Sequence, residues 1–397
     1  MGQKTTNRRL FLQSAASASA LAATHSTFGA TATLTPAAGS GPMPHRPLGA
    51  TGEQVPILHL GTSQRLDPVY DKVMHRCLKS GISWFDTALS YGWGASHSAI
   101  ANFLEQTKAR QTMWLTSKSG SGSPKGLAKA LDEALTELKT DYLDIFLMHG
   151  INDEDRLGKA FLAAGNRFRQ SGKTRFFGFS CHDGNVAELL NKAAKVGGID
   201  VILFRYNFRR YGDLALNKAI DACHKAGIGL LAMKSMGSVP ASLESVVQFR
   251  SENFTLGQAK LKSIWADERI SSVVSEMDSV QRVRENVSAA KTQRNLTAQE
   301  SHQLNRLAAL TAQYACNGCS HLCEKTAGGD VAIADSLRFL MYHECYDGKS
   351  DRAKELYGAL PAKARQYSAE QLAAAAAVCP QGIDIAARMA QAQAVLG

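Results

Sequence analysis

Eight short apolar segments, each ending in small or polar residues, recur through the middle of this chain with helical stretches between them. They run Ile57–Gly61, Trp84–Asp86, Trp114–Ser117, Leu143–Met148, Phe176–Ser180, Val201–Arg205, Gly229–Met233 and Ser272–Ser275, with helices such as Pro124–Leu138 and Leu214–Ala226 in the gaps. Eight strand–helix alternations in about 250 residues predict an α/β fold, the (β/α)8 TIM barrel, whose active sites lie at the C-terminal ends of the strands.

Those ends carry chemistry. Asp86 closes the second segment, with Tyr91 in the loop beyond it; Lys118 and His149 stand at or just past the third and fourth. A tyrosine hydroxyl titrates near ~10 in water, too high for good acid–base work near neutrality. A buried lysine beside it favours the phenolate, an aspartate holds the lysine charged, and a histidine can hydrogen-bond the reacting oxygen. Singly, an Asp–Lys pair is ordinarily just an ion pair. Four such groups at successive strand ends make a proton-transfer site.

Composition bounds the rest. A hydrophobic content of 45% fits a globular protein, and no segment outside the leader reaches the ~18 consecutive apolar residues of a membrane span. The net charge is +10, but no stripe of basic residues interleaved with aromatics suggests nucleic acid, so the excess reads as a solvated basic face. Residues 1–32 read as a twin-arginine signal peptide: Thr6-Asn-Arg8-Arg9-Leu-Phe-Leu-Gln13, a mild Ala/Ser-rich apolar run to about Leu21, and Ala30-Thr-Ala32 as the cleavage site. The expected partner is the twin-arginine translocase and the expected location periplasmic. Because that route exports folded proteins, a cofactor can be loaded beforehand.

Residues 33–44 are Ala/Gly/Pro/Thr-rich and predict a linker. Gly49-Ala-Thr-Gly52 within His45–Ile57 predicts a small hairpin. The barrel is expected over 45–300. Past Asn286 the pattern changes, with helices at Leu296–Leu310, Asp330–Cys345, Lys349–Leu360 and Glu370–Ala377, and residues 301–397 are expected to form a small C-terminal helical, ferredoxin-like cysteine domain.

Over roughly residues 45–290 the chain resembles the aldo-keto reductase family. The resemblance is carried by Trp84-Phe-Asp-Thr-Ala-Leu-Ser-Tyr91-Gly-Trp-Gly-Ala-Ser96, Thr116-Ser-Lys118, Asp141-Tyr-Leu-Asp-Ile-Phe-Leu-Met-His149, Gly172-Lys-Thr-Arg-Phe-Phe-Gly-Phe-Ser180 and Glu285-Asn286. It implies a carbonyl or alcohol substrate, Tyr91 as general acid, Lys118 and Asp86 tuning it, His149 polarising the carbonyl, and hydride from NAD or NADP. By the same resemblance Ser180, Met233, Lys234 and Asn286 would hold the nucleotide. This half departs from the family: Cys181 follows Ser180 where Asn is usual, Leu203 stands for Gln, Met233 for a stacking Tyr, and Glu276 and Asp278 flank the expected phosphate turn at Ser275. The residues do not choose between NAD and NADP.

The tail holds Cys316-Asn-Gly-Cys319-Ser-His-Leu-Cys323 and Cys379-Pro380-Gln-Gly-Ile. The Cys-Pro-x-Gly-Ile ending resembles ferredoxin-like motifs. In two-cluster ferredoxins the fourth cysteine of a run ligates the other run's cluster. By that resemblance Cys316, Cys319, Cys323 and Cys379 would hold one [4Fe-4S] cluster, the second having lost its ligands. Zinc, disulfides and an empty site are the competing readings. Cys77, Cys181, Cys223 and Cys345 read as isolated thiols.

The expectation is therefore an exported aldo-keto reductase-like oxidoreductase with an iron–sulfur domain and a redox partner. Two rivals remain open at this point: an isomerase or lyase using the same four groups without net redox, and a non-catalytic electron-transfer or interaction protein.

Overall fold

The computed structural model describes residues 41–346 and 348–397. The leader and most of the 33–44 segment lie outside these. At the edge of that segment, Met43 is buried and the Pro44 carbonyl accepts from the Ile57 amide at 3.0 Å.

His45–Pro47 (β1) and Gln54–Pro56 (β2) form an antiparallel hairpin, the predicted one. Then come the barrel strands Leu58–Gly61 (β3), Trp84–Asp86 (β4), Trp114–Ser119 (β5), Leu143–Met148 (β6), Thr174–Cys181 (β7), Val201–Arg205 (β8), Gly229–Met233 (β9) and Ser272–Glu276 (β10). They pair in parallel in sequence order, and β10 closes onto β3, so the (β/α)8 barrel is complete.

Each strand is apolar on both faces because both are covered. Val201 and Leu203 of β8 pack inside the barrel with Ile145, Leu147, Leu231 and Met233, while Ile202 and Phe204 face outward into the layer beneath the helices. The hairpin plugs the bottom of the barrel with Leu48. Gly49 holds a left-handed backbone (φ +55°), and a Cβ there would run into the Gly227 carbonyl.

The helices follow from local signals. Pro124–Leu138 starts at Ser123, whose side chain accepts from the Gly126 amide, with Pro at the first turn. Leu127, Ala130, Leu131, Ala134, Leu135 and Leu138 form its buried stripe, and Lys139, left-handed at φ 51°, ends it.

Beyond the barrel lie the helices Ala298–Leu310, Ser320–Thr326, Ile333–Cys345, Ser350–Gly358, Ala369–Ala377 and Ile385–Leu396. The first joins the barrel, with Leu304 and Leu307 packed against Phe208, Val247, Phe254 and Ala259. The others build two apolar clusters of their own, around Leu337–Leu372–Met389 and around Leu340–Tyr357–Leu396. Among the described residues no helix is long and apolar enough to cross a membrane.

Candidate active site

The end of β4, β5 and the first residue past β6 bring the proton-transfer residues together. Lys118 Nζ donates to Asp86 Oδ1 at 2.6 Å and to the Thr87 carbonyl at 2.6 Å, and both side chains are almost wholly enclosed, 1% and 4% exposed. A short 3-10 turn, Tyr91–Gly94, places Tyr91 above them, with the Lys118 ammonium 5.0 Å from its ring centroid. The turn is tied down, since the Leu89 amide donates to the Lys118 carbonyl. His149, fixed by its amide to the Ser119 carbonyl, meets the Tyr91 ring edge-on at 5.7 Å. The layer below is His59, stacked on Trp84 at 4.1 Å and bonded to Ser272. Nothing in the sequence motifs singled out His59.

One expectation is corrected. The sequence placed Lys118 where it would lower the Tyr91 hydroxyl. Instead burial, then the charges of Asp86, Tyr342 and Glu276, push that hydroxyl well above the usual phenol value, with Arg338 opposing. Lys118 is spent on Asp86 beneath the ring. Burial pulls the ammonium down and the carboxyl up, and each charge holds the other in place. Tyr91 is thus a proton donor at rest. His149 is held neutral, its pKa pulled to about 3 by burial and then by Lys118, Arg338 and Lys234.

Above this floor is a cavity of about 410 Å³. Its lower wall comes from barrel loops, including His149, His182 and Lys234; its roof is Arg338, Tyr342, Tyr346 and Lys349 of the C-terminal helices. The roof is bonded to the strand ends. Lys234 Nζ donates to the Tyr342 hydroxyl at 2.7 Å, Lys349 Nζ lies 2.5 Å from Glu276 and bonds the Ser63 carbonyl, and Arg205 donates to the Cys316 carbonyl at 2.7 Å. Sequence reading missed Arg338 and Tyr342, which belong to no motif; Tyr342 lies 108 residues from Lys234, the strand-end residue it meets.

The four residues expected at the nucleotide do not form a site. Ser180 is fully buried, its hydroxyl accepting from the Gly150 amide at 2.9 Å. Asn286 donates to Ser275 at 3.0 Å, and Met233 packs in the barrel interior. Only Lys234 reaches the cavity, and Tyr342 already engages it. At the expected phosphate turn, Glu276 is neutralised by Lys349 of the roof and Asp278 by Arg282 at 2.9 Å, so both of these basic groups are engaged by carboxylates rather than left for a pyrophosphate. As arranged, these residues do not fit a nicotinamide dinucleotide.

The four tail cysteines do come together. Cys316, Cys319, Cys323 and Cys379 border one small cavity of about 20 Å³, walled by Leu322, Ile333, Leu337, Pro380, Ile383 and Ile385. All eight cysteines are free thiols in this structure. Among the described residues no group of three or more His, Cys, Asp or Glu side chains is placed to hold a metal ion. Burial and mutual proximity hold Cys316, Cys319 and Cys323 above the usual thiol range. The Gly318 amide donates to Cys316 Sγ at 3.3 Å. The loop docks on the barrel rim, where the Gly184 amide donates to the Gly318 carbonyl at 2.7 Å.

Residues 63–244 match the model of the Aldo/keto reductase family. The barrel carries an aldo/keto reductase family domain. L-galactose dehydrogenase of Arabidopsis thaliana is 27% identical over 281 residues, 62% of this chain and 87% of that protein. Uncharacterized oxidoreductase YqkF of Bacillus subtilis is 24% identical over 260 residues, 57% and 84%. Among solved structures, the aldo-keto reductase AKR11C1 from Bacillus halodurans matches with a TM-score of 0.58 at 21% identity, over 67% of this chain and 96% of that one. An aldo-keto reductase from Klebsiella pneumoniae solved in complex with NADPH matches at 0.55 and 20%, over 67% and 95%. At these identities the structures share the fold. Over its barrel the chain is thus similar to oxidoreductases of the aldo-keto reductase type.

Proposed function

We propose that this protein interconverts a carbonyl and an alcohol on a small polyhydroxylated substrate, with Tyr91 giving and taking the proton on the substrate oxygen. The observation that carries the reading is the convergence of Tyr91, His149 and the buried Lys118–Asp86 pair at the floor of one polar cavity. A carbonyl oxygen lodged between Tyr91 and His149 receives a hydrogen bond from each, the imidazole being neutral. As a hydride from an external two-electron donor adds to the carbonyl carbon, negative charge grows on that oxygen and the Tyr91 proton moves to it. The phenolate left behind lies over the Lys118 ammonium. In the reverse direction it takes the proton back. The dehydrogenase name of the Arabidopsis relative supports a hydroxyl-rich substrate. Because the nucleotide residues do not fit, no step is routed through a nicotinamide.

The same reading includes export and a metal centre. Arg8-Arg9 ahead of a weak apolar run supports the twin-arginine translocase as partner and a periplasmic destination. The thiols of Cys316, Cys319, Cys323 and Cys379, gathered in an apolar casing with an amide donor to sulfur, are the residues that would hold a [4Fe-4S] cluster. When bound, such a cluster supplies one-electron transfer to a redox partner. The test of the carbonyl reading is reduction of small hydroxy-aldehydes and ketones with NADH, NADPH and a reduced viologen as alternative donors. Tyr91→Phe should cost at least ~100-fold with whichever donor works, and an unchanged rate would remove Tyr91 from the mechanism.

A further inference from the structure

Two phenols share the cavity. Tyr91 comes from the barrel; Tyr342 comes from the Ile333–Cys345 helix that roofs it. Carbonyl–alcohol interconversion needs a single proton-transfer group at the substrate oxygen, and Tyr91 with His149 supplies it. Tyr342 has no part in that step, yet it is held with care. Lys234, at the end of β9, donates to its hydroxyl at 2.7 Å and stands 4.4 Å from its ring centroid. To do so Lys234 keeps a left-handed backbone, φ 55°, uncommon for a residue with a side chain, and its carbonyl is pinned by Asn207 Nδ2 at 2.8 Å. Tyr346 stacks on the Tyr342 ring at 5.8 Å.

We propose that Tyr342 is a second catalytic acid–base residue, positioned by Lys234, and that with Tyr91 it enolises an α-hydroxy carbonyl substrate. This rests on the reading that the carbonyl oxygen sits at Tyr91 and His149. The groups facing Tyr342 agree with a base. Burial raises its hydroxyl, but Lys234, Arg338 and Arg205 outweigh burial and bring it below the usual phenol value. Tyr91, in the same cavity, is shifted the opposite way. Two titrating groups pushed apart by their surroundings divide the roles of acid and base.

The step balances without an oxidant. The Tyr342 oxygen takes the proton from the carbon next to the carbonyl, and that C–H electron pair becomes the carbon–carbon double bond. The carbonyl π pair moves to oxygen, which takes the Tyr91 proton. Tyr342 then returns its proton to the other carbon while the Tyr91 phenolate removes one from the neighbouring hydroxyl. A 2-hydroxy aldehyde and its 2-keto alcohol isomer are thereby exchanged with no net redox.

The test is proton NMR of full-length protein with glyceraldehyde and dihydroxyacetone in deuterated water, without nucleotide. Wild type should exchange the α-protons above the buffer rate, and Tyr342→Phe, which keeps the stacking ring, should lose at least ~100-fold. Lys234→Met should move the acidic limb of the exchange profile to higher pH, a shift that a merely structural lysine would not cause. Wild type no faster than buffer, or Tyr342→Phe at the wild-type rate, overturns the proposal. Tyr91→Phe separates the two readings. Exchange lost there but kept in Tyr342→Phe sinks the second base alone, and exchange kept there but lost in Tyr342→Phe sinks the placement of the carbonyl oxygen.

Discussion

Lys349 Nζ lies 2.5 Å from the Glu276 carboxylate, joining the segment before the Ser350–Gly358 helix to the end of the last barrel strand. Glu276 stands where a phosphate turn was expected, and its charge is answered from within the chain. With the Tyr342–Lys234 and Cys316–Arg205 bonds, this pair fastens the C-terminal helices over the barrel mouth.

Lys349→Ala should leave overall stability nearly unchanged, because a partly exposed pair contributes only about 0–1 kcal/mol. It should nonetheless speed limited proteolysis within residues 320–397, since the roof loses one of its fastenings. Chemical denaturation and timed protease digestion compared side by side check this; equal digestion rates would show that the contact does not hold the roof.

The Lys118–Asp86 pair is enclosed, and Asp86 Oδ2 has no hydrogen-bond partner. Lys118→Met leaves a buried carboxylate without its counter-charge and should cost about 3–5 kcal/mol in urea unfolding. Adding Asp86→Asn should restore much of that loss without restoring activity. A double variant no more stable than the single one would mean that the pair is not coupled.

Acid should destabilise the fold earlier than its carboxylates alone require. Burial, then Lys118, holds the His59 ring well below its usual value, and His149 titrates at about 3. As pH falls below ~6.5 the unfolded chain binds protons that the folded chain does not, so stability present above ~6.5 is lost progressively toward the lowered folded values. Unfolding free energies between pH 7 and 5 should fall, and His149→Gln should flatten the slope. An unchanged slope would mean that His149 is not held neutral.

Gly184 lies against the cysteine loop: a Cβ there would sit 2.7 Å from Cys319 Sγ and 2.8 Å from its Cα. Gly184→Ala should push the loop off the barrel rim and lower the iron content of anaerobically purified protein, as Cys379→Ser should by removing a thiol. Iron analysis and visible absorbance read both. Full iron in Cys379→Ser would exclude that cysteine as a ligand.

The strands were legible because a barrel strand covered on both faces is a short apolar run. Trp84–Asp86, Leu143–Met148, Val201–Arg205 and Gly229–Met233 fall where the sequence placed them. Their polar ends announced Asp86, Lys118 and His149. Tyr342 and Arg338 were not legible, since helical periodicity places a residue on a face but does not say which distant surface that face will cover. The direction of the Tyr91 shift was hidden for a related reason. It depends on burial beneath that roof and on Glu276 and Tyr342, neither of which is near Tyr91 in sequence. The departures at Cys181, Leu203 and Glu276 were visible as letters; what replaces the nucleotide contacts became visible only when the roof was in place.

Tyr91 and His149 are proposed to grip a carbonyl oxygen together, and the infrared stretch of a bound carbonyl measures that grip whatever the electron donor. With isotope-edited dihydroxyacetone on the full-length protein, the stretch should move to lower frequency in wild type, move less in either Tyr91→Phe or His149→Gln, and return to the solution value in the double variant. A bound carbonyl whose stretch is the same in wild type and in Tyr91→Phe would mean that Tyr91 does not hold the substrate oxygen.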